Sequence, residues 1–398
     1  MKVLYLTQRL PFGNGETFVI PEIDALLARG HEVLIVPRLS SGPVLHDDAV
    51  ALVGRTRVLP SAFGIVRAVL RALVRRPRVT LRAFWRLRRT RPRPRTYSNT
   101  IATAQGVWIA ELARAWGADH IHAHWAHLTS TIAMSASAFS GIPWSFTGHR
   151  YDVVLNNLLE DKLRSARFGR FIARRMLERA SPMVTRDAIA RAIVLHMGVL
   201  LPPRPVGEPP DRKVPVVLCP ARLVRVKGHL HLIDAAALLK ERGIPFRLLL
   251  AGDGPEGERI RQRIKELGLD DSVRMLGLVS HPELLRRYRD REVDCVVLPS
   301  VDLGKGEHEG ISVALIEAMA HVIPVISTLT GGLPELLSGG AGIMVPPARA
   351  DALADALEPL LESKSLRQEL GSRGRRRIEE DFDITQVADE LTRRFAAA

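Results

Sequence analysis

Two glutamates eight positions apart, Glu309 and Glu317 in EGISVALIEAMA, are the pair best placed in this sequence to do chemistry. Eight residues is slightly more than two helical turns, so on one helix both carboxylates fall on the same side. Gly310, Ile311 and Ser312 stand where that helix would start, with amides free for phosphate or sugar oxygens. Glu317 lies between Ile316 and Ala318, where burying its charge is expensive without partners. Sugar hydroxyls would supply them. A capping acid followed by a stray helix glutamate is the bland alternative.

A second cluster, Arg222-Leu-Val-Arg-Val-Lys227-Gly228, follows an apolar run and precedes a helix starting near His229. Cations at a strand end beside a helix N-terminus make an anion site that would suit a diphosphate. Solvated loop cations would read the same from this segment alone. Gly252-Asp-Gly254-Pro-Glu-Gly257 matches a dinucleotide fingerprint, but on the second strand of its domain. Asp270 and Asp271 precede the next strand, where an acid should follow it. His122, His124 and His127 straddle a strand end, and no cysteine or carboxylate joins them. They are read as structural or acceptor-side residues, and no metal ligands are assigned.

These residues need elements to hold them. Strand and helix alternate twice over, which predicts an α/β fold with parallel sheets. Strands are expected over residues 2–6, 32–36, 120–123 and 144–147, then 214–219, 246–251, 273–276, 295–298 and 323–327. Pro202, Pro203, Pro205, Pro209 and Pro210 interrupt the pattern as a linker. A chain of 398 residues exceeds what one core usually organises. The expected domains are 1–200 and 214–380, two Rossmann-like units joined by 201–213, to which the resemblance drawn from the motifs below gives the acceptor side and the nucleotide sugar respectively. Residues 381–398 form a helix that returns to the first domain. Ligands bind beyond the carboxyl ends of strands in open sheets. That points to residues 8–16, 222–227, 252–257, 300–312 and 328–332, with His124 and His149.

The net charge of +14 is unevenly spread: residues 1–200 carry 29 Lys and Arg against 13 Asp and Glu, the remainder 28 against 30. No acid occurs between Asp48 and Glu111, while Arg67, Arg71, Arg75, Arg78, Arg82, Arg86 and Arg89 recur at helical spacing. Apolar residues ending in Phe84 and Trp85 keep the same period, and Pro77 divides the stretch into two helices. A solvated face would mix both signs. A nucleic-acid patch would be accompanied by a recognisable module, and none is present. An anionic membrane surface fits best, each cation near it adding about 1 kcal/mol. No apolar run approaches the roughly 18 residues that span a bilayer. The first residues lack the features of a signal peptide, so a cytoplasmic protein at the inner face of the membrane is expected. Cys219 and Cys295, in apolar runs, read as buried thiols.

In order along the chain, ARLVRVKG, EGISVALIEAMA, GGLPELL and GAGIMVPP resemble the retaining GT-B-fold glycosyltransferases of family four, with their glycogen-synthase-like C-terminal domain. GETFVIPEIDALLARGHEV, HIHAHWA and SFTGHRYDV extend the resemblance to the N-terminal half. The resemblance implies two Rossmann-like domains facing each other across a donor-binding cleft. It implies that Arg222 and Lys227 hold the donor diphosphate with neither metal nor other cofactor, and that Glu309 binds hydroxyls of the donor sugar. Gly310, Ile311 and Ser312 would give amides to sugar and phosphates, and Glu317 would bind the ribose. His149 would face the transferred sugar, and the loop with Asn14 and Gly15 the phosphates or acceptor. Gly252 would lie in a turn near the nucleotide, His124 and Asp152 on the acceptor side. Two departures stand out: Val322 where the family usually has Gly, and Leu200 where an Asp commonly follows Gly-Val. The expected function is retaining, metal-independent transfer of a hexose-type sugar from a nucleotide-diphosphate sugar to a lipid-linked or polysaccharide precursor. A sugar-nucleotide epimerase of the same fold, an NAD-dependent oxidoreductase and a basic nucleic-acid-binding protein are the alternatives.

Overall fold

The apolar runs form strands buried on both faces, as parallel sheets covered by helices require. A computed structural model describes every residue except 14, 15, 45, 46, 91–94, 150, 151, 154, 206, 208, 209, 305–307 and 398. The loop residues Asn14 and Gly15 therefore lie outside the described residues, as does the side chain of Arg89. Two compact units result, Met1–Met197 with Ile384–Ala398, and Gly198–Asp383.

The first unit contains β1 (Lys2–Thr7), β2 (Glu32–Pro37), β3 (His120–His124), β4 (Trp144–Gly148), β5 (Phe168–Phe171) and β6 (Ala192–Val194). They form one sheet in the order β2-β1-β3-β4-β5-β6, every pair parallel, with Leu4 opposite both Leu34 and Ile121. The order reverses direction between β1 and β3, the place where open sheets leave a crevice at their carboxyl ends. The helix Ile384–Ala396 completes this unit by burying Val387, Leu391 and Phe395 in the cluster that holds Val19 and Ile23. Arg29 fastens it through Asp389 at 2.6 Å, and Arg167 donates to the Phe395 carbonyl at 2.6 Å.

The second unit contains β7 (Val216–Pro220), β8 (Arg247–Ala251), β9 (Val273–Gly277), β10 (Cys295–Leu298), β11 (Val325–Thr328) and β12 (Ile343–Val345). Its all-parallel order is β12-β11-β10-β7-β8-β9, with the reversal between β7 and β10. The loops leaving β7 and β10 carry Arg222 to Lys227 and Ser300 to Ser312 respectively, so both segments singled out in the sequence rise from the switch point. Cys219 and Cys295 are buried and free, and burial pushes both thiols up, Cys219 to about 12.

At Val322 the chain keeps the backbone a glycine would give: φ is +64°, left-handed and costly for a β-branched residue. The turn into β11 is thus preserved at the expense of strain. Leu200 is exposed, while Val199 beside it bridges to Asp383.

Candidate active site

In the second unit the Arg222 loop is built by backbone. Leaving β7, the Ala221 amide donates to the Ala251 carbonyl and the Leu223 amide to the Asp253 carbonyl, each at 3.0 Å. Gly252 permits that contact: with φ at +154°, a Cβ on it would stand 2.0 Å from the Ala221 oxygen. Its role is to seat the Arg222 loop, which also accounts for the fingerprint-like glycines without a second nucleotide. Arg222 is exposed, and none of the described residues takes its guanidinium.

Lys227 ends the short turn Arg225–Lys227, and its ammonium donates to Glu309 Oε2, a bond made across 82 positions of chain. Ser300 Oγ donates to the same oxygen at 3.2 Å, and the Gly310 amide to Glu309 Oε1 at 3.2 Å. Both partners of the ion pair remain partly accessible, 17% for Lys227 and 14% for Glu309. Gly331 closes on this loop so tightly that a Cβ would meet the Glu309 carbonyl oxygen at 1.6 Å. An approaching ligand thus meets a cation and a carboxylate fixed side by side, with a free guanidinium on the loop that carries the cation.

Two details correct the sequence reading. Glu309 precedes the helix, as expected, but the helix begins only at Val313, so Glu309 and Glu317 do not share one of its faces. Glu317 lies on it and accepts from His281 Nε2 at 2.7 Å, a partner 36 residues away that the sequence did not suggest. The Gly310 amide is occupied by Glu309 itself. Ile311 and Ser312 precede the helix, and Ser312, its N-cap, makes no side-chain cap bond. Unpaired amides of a first turn are anion-binding groups.

In the first unit the switch point is organised by buried acids. Glu16 accepts from the amides of Gln8 (2.9 Å), Arg9 (2.5 Å) and Leu10 (2.8 Å), and from Trp125 Nε1 at 2.5 Å. Glu22, on the helix Ile20–Ala28, accepts from Tyr5 Oη at 2.6 Å, from Arg170 of β5, and from His124 Nε2 at 3.0 Å. Burial alone would raise its carboxyl, but the Arg170 charge, helped by the hydrogen bond from His124, outweighs that and holds it well below the usual range. His124 Nδ1 stands 3.4 Å from His149 Nε2.

A carboxylate therefore does join the histidines, contrary to the expectation from sequence. Glu22, His122 and His124 bring one ligand atom each within 4.8 Å of one another, the spacing of a metal site among the described residues. The surroundings do not fit a cation. Both nitrogens of His122 are engaged by Ser145 (2.8 Å) and Thr147 (3.0 Å), and the Arg170 guanidinium already fills the positive place beside Glu22. His127 lies apart, at the N-cap of the helix Leu128–Ser140.

The acceptor-side expectation for His124 and Asp152 fails on burial. His124 is fully buried with both ring nitrogens engaged. Asp152 is buried, accepts from the amides of His149 (2.7 Å) and Ala126, and is pushed up to about 7, chiefly by burial. Both hold His149, one by its ring and one by its backbone. His149 itself, at the end of β4, keeps 7% of its surface exposed.

The arginine stripe lies on the helices Ala62–Arg75 and Pro77–Arg86. Arg67, Arg75, Arg78 and Arg82 are exposed. Arg71 and Arg86 do not belong with them. Arg71 is bidentate on Glu111 at 3.1 and 2.5 Å, and Arg86 stands 3.8 Å from Asp161. Phe84 is half-buried, whereas Phe63, Val66, Leu70, Val74, Leu81 and Trp85 are exposed between the free arginines. No helix of the described residues is long and apolar enough to cross a membrane.

The family described as glycosyl transferases group 1 matches residues 205–377. WcaL of Escherichia coli, named as a colanic acid biosynthesis glycosyltransferase, is 32% identical over 98% of this chain and 98% of its own. AmsK of Erwinia amylovora, an amylovoran biosynthesis glycosyltransferase, is 34% identical over 44% of each chain. Among solved structures, HepE of Anabaena in complex with UDP and glucose superposes with a TM-score of 0.69 at 18% identity over all of both chains. Sucrose-phosphate synthase of Thermosynechococcus elongatus gives 0.69 at 20%, over 99% of this chain and 98% of its own. The two parallel sheets are thus those of the GT-B fold. With a full-length relative at this identity and the family's match over the unit that holds Lys227 and Glu309, the chain belongs to the group 1 glycosyltransferases.

Proposed function

We propose that this glycosyltransferase moves a hexose-type sugar from a nucleoside-diphosphate donor, with retention of configuration and without a metal ion, to a lipid-linked or polysaccharide precursor. The observation that carries the reading is the fixed Lys227–Glu309 pair beside a free Arg222 at the β7/β10 switch point. A departing diphosphate needs its growing charge offset; Lys227 is held in place to do so without reorganising, and Arg222 is free to close on the phosphates. Glu309, an acceptor with one oxygen saturated by Lys227 and Ser300, suits sugar hydroxyls through the other. Glu317 with His281 forms a second acceptor site for a ribose. Names of polysaccharide-biosynthesis relatives support the acceptor class.

The test is to incubate the protein with UDP-, GDP- and ADP-sugars, with and without EDTA. One donor should be slowly hydrolysed, unaffected by the chelator, and the released sugar should first appear with the donor's anomeric configuration. Release of the opposite anomer would overturn retention, and loss of turnover in EDTA would overturn metal independence. An epimerised sugar nucleotide in place of free sugar would replace transfer with epimerisation. Thermal stabilisation by NAD with none by any nucleoside diphosphate would remove the donor site altogether.

Docking to the inner face of the cell membrane is the second part of the proposal. Arg67, Arg75, Arg78 and Arg82 alternate with exposed Leu70, Val74, Leu81 and Trp85, so cations can meet lipid phosphates while apolar side chains enter the interface. Reversing the four arginines to glutamate should lower partitioning onto anionic liposomes at least about 100-fold, since each cation contributes about 1 kcal/mol. Donor hydrolysis should be spared. Unchanged pelleting, or retention on DNA in place of vesicles, would assign the patch elsewhere.

A further inference from the structure

The buried line Glu22, His124, His149 determines which face of His149 carries a hydrogen. An ionised carboxylate only accepts, so the His124 nitrogen 3.0 Å from Glu22, Nε2, bears a hydrogen. Glu22 and Arg170 already cancel each other's charge, both out of contact with water. A second proton on His124 would leave uncompensated positive charge in the interior. His124 is therefore neutral and its Nδ1 bare. That bare nitrogen faces His149 Nε2 at 3.4 Å, so His149 supplies the hydrogen between them.

His149 is itself held neutral, because burial pulls its pKa well below the usual histidine value. With its one hydrogen spent on His124, its Nδ1 is a lone pair. None of the described residues takes that nitrogen, and the ring packs against Trp125, at 4.4 Å between centroids, and Phe18, at 5.2 Å, with 7% of the residue exposed. The line cannot relax by rotation of Glu22, since Tyr5 pins one oxygen and Arg170 the other. Arg170 is anchored in turn by the carbonyls of Leu195, at 2.8 Å, and His196.

We propose that Glu22 is a positioning residue for the transfer: through His124 it fixes His149 in the tautomer whose second nitrogen, Nδ1, accepts a hydrogen bond from a substrate hydroxyl and cannot give one. The role of the hydroxyl rests on the reading of His149 as the residue facing the transferred sugar; the tautomer does not. Neither WcaL's name nor any motif assigns work to Glu22, which sits in the helix Ile20–Ala28, 102 positions from His124.

The experiment is imidazole nitrogen NMR of the full-length protein, with His149→Asn to assign the signal. The unaltered protein should show His149 with its hydrogen on Nε2 and a bare Nδ1. In Glu22→Gln the single carbonyl oxygen is claimed by Arg170, a donor only, so the amide NH2 faces His124. That reverses both rings and puts the hydrogen on His149 Nδ1. The kcat for transfer should fall about 10- to 100-fold, by analogy with the loss of a carboxylate that orients a metal-bound histidine, while the KM for the nucleotide sugar changes little. A hydrogen on Nδ1 in the unaltered protein overturns the proposal. So does an unreversed His149 in Glu22→Gln, or a reversed one with undiminished transfer. If Glu22→Gln does not fold, the spectrum of the unaltered protein decides alone. Failure of the unaltered protein to turn over any nucleotide sugar would count against the function proposed above, and the spectrum would still decide the tautomer.

Discussion

Lys227→Ala should lower transfer by about 10²- to 10³-fold, the range found when one preorganised group facing developing charge is removed. The ammonium has two tasks that alanine leaves undone. It places charge where a diphosphate departs, and it holds Glu309 Oε2 in position with the help of Ser300. The substitution should therefore weaken binding of the nucleoside diphosphate alone, measured by calorimetry, as well as kcat. Glu309→Gln separates the two tasks. It keeps the cation and the loop contact of Gly310 but removes the charged acceptor, so kcat should fall to a similar extent while free nucleoside diphosphate binds nearly as before. Equal loss of diphosphate affinity in both variants would mean that the pair acts only as a structural clasp. Near-normal kcat in either would remove that residue from the chemistry. A melting curve on each variant is the control, because a partly buried pair that loses one member leaves the other without its partner.

The second-unit site was legible because its parts are local. Arg222 to Lys227 and Glu309 to Glu317 each announce themselves within a dozen residues, and the strands that carry them are continuous apolar runs. What could not be read was pairing across the chain. Lys227 meets Glu309 across 82 positions and His281 meets Glu317 across 36, and no local pattern encodes either. Helical phase also misled, because a spacing of eight describes one helix side only if both residues are helical, and Glu309 is not. The strands β5, β6 and β12 escaped notice for composition and length: FGRF carries a glycine and a charged arginine, and the other two are three residues long.

Glu22 had a signal that went unused. It lies three residues after Val19 and four before Leu26, on the apolar stripe of its helix, and an acid on a buried stripe must have partners. Finding which partners required β3, β4 and β5 side by side, which brings residues 22, 124, 149 and 170 together. The arginine stripe shows the converse error. Its charge was counted within one stretch, yet Glu111 and Asp161, from elsewhere in the chain, take Arg71 and Arg86 and leave a smaller patch.

The same burial makes the fold sensitive to acid. Burial, and next the charge of Arg167, lower His120 to about 3, while burial and then Lys227 lower His229 to about 4, both from an ordinary value of 6.5. A histidine whose folded pKa lies below its unfolded one refuses a proton that the unfolded chain takes. Its contribution to stability is intact above about pH 6.5 and is lost as pH falls towards the folded value. At pH 5 each of these two should have cost about 2 kcal/mol relative to neutral pH, at 1.36 kcal/mol per pH unit. His122 and His149, lowered by burial first, act in the same direction. Glu22, held low, adds a further loss only below about pH 4.5, its unfolded value. Urea unfolding at pH 7.5, 6 and 5 should thus show stability falling by at least about 4 kcal/mol in all. His120 and His229 lie in different units, so the loss should appear in whatever transition each unit shows. A flat profile between pH 7.5 and 5 would mean that these rings are open to protons in the folded protein, and with them the buried line that sets His149.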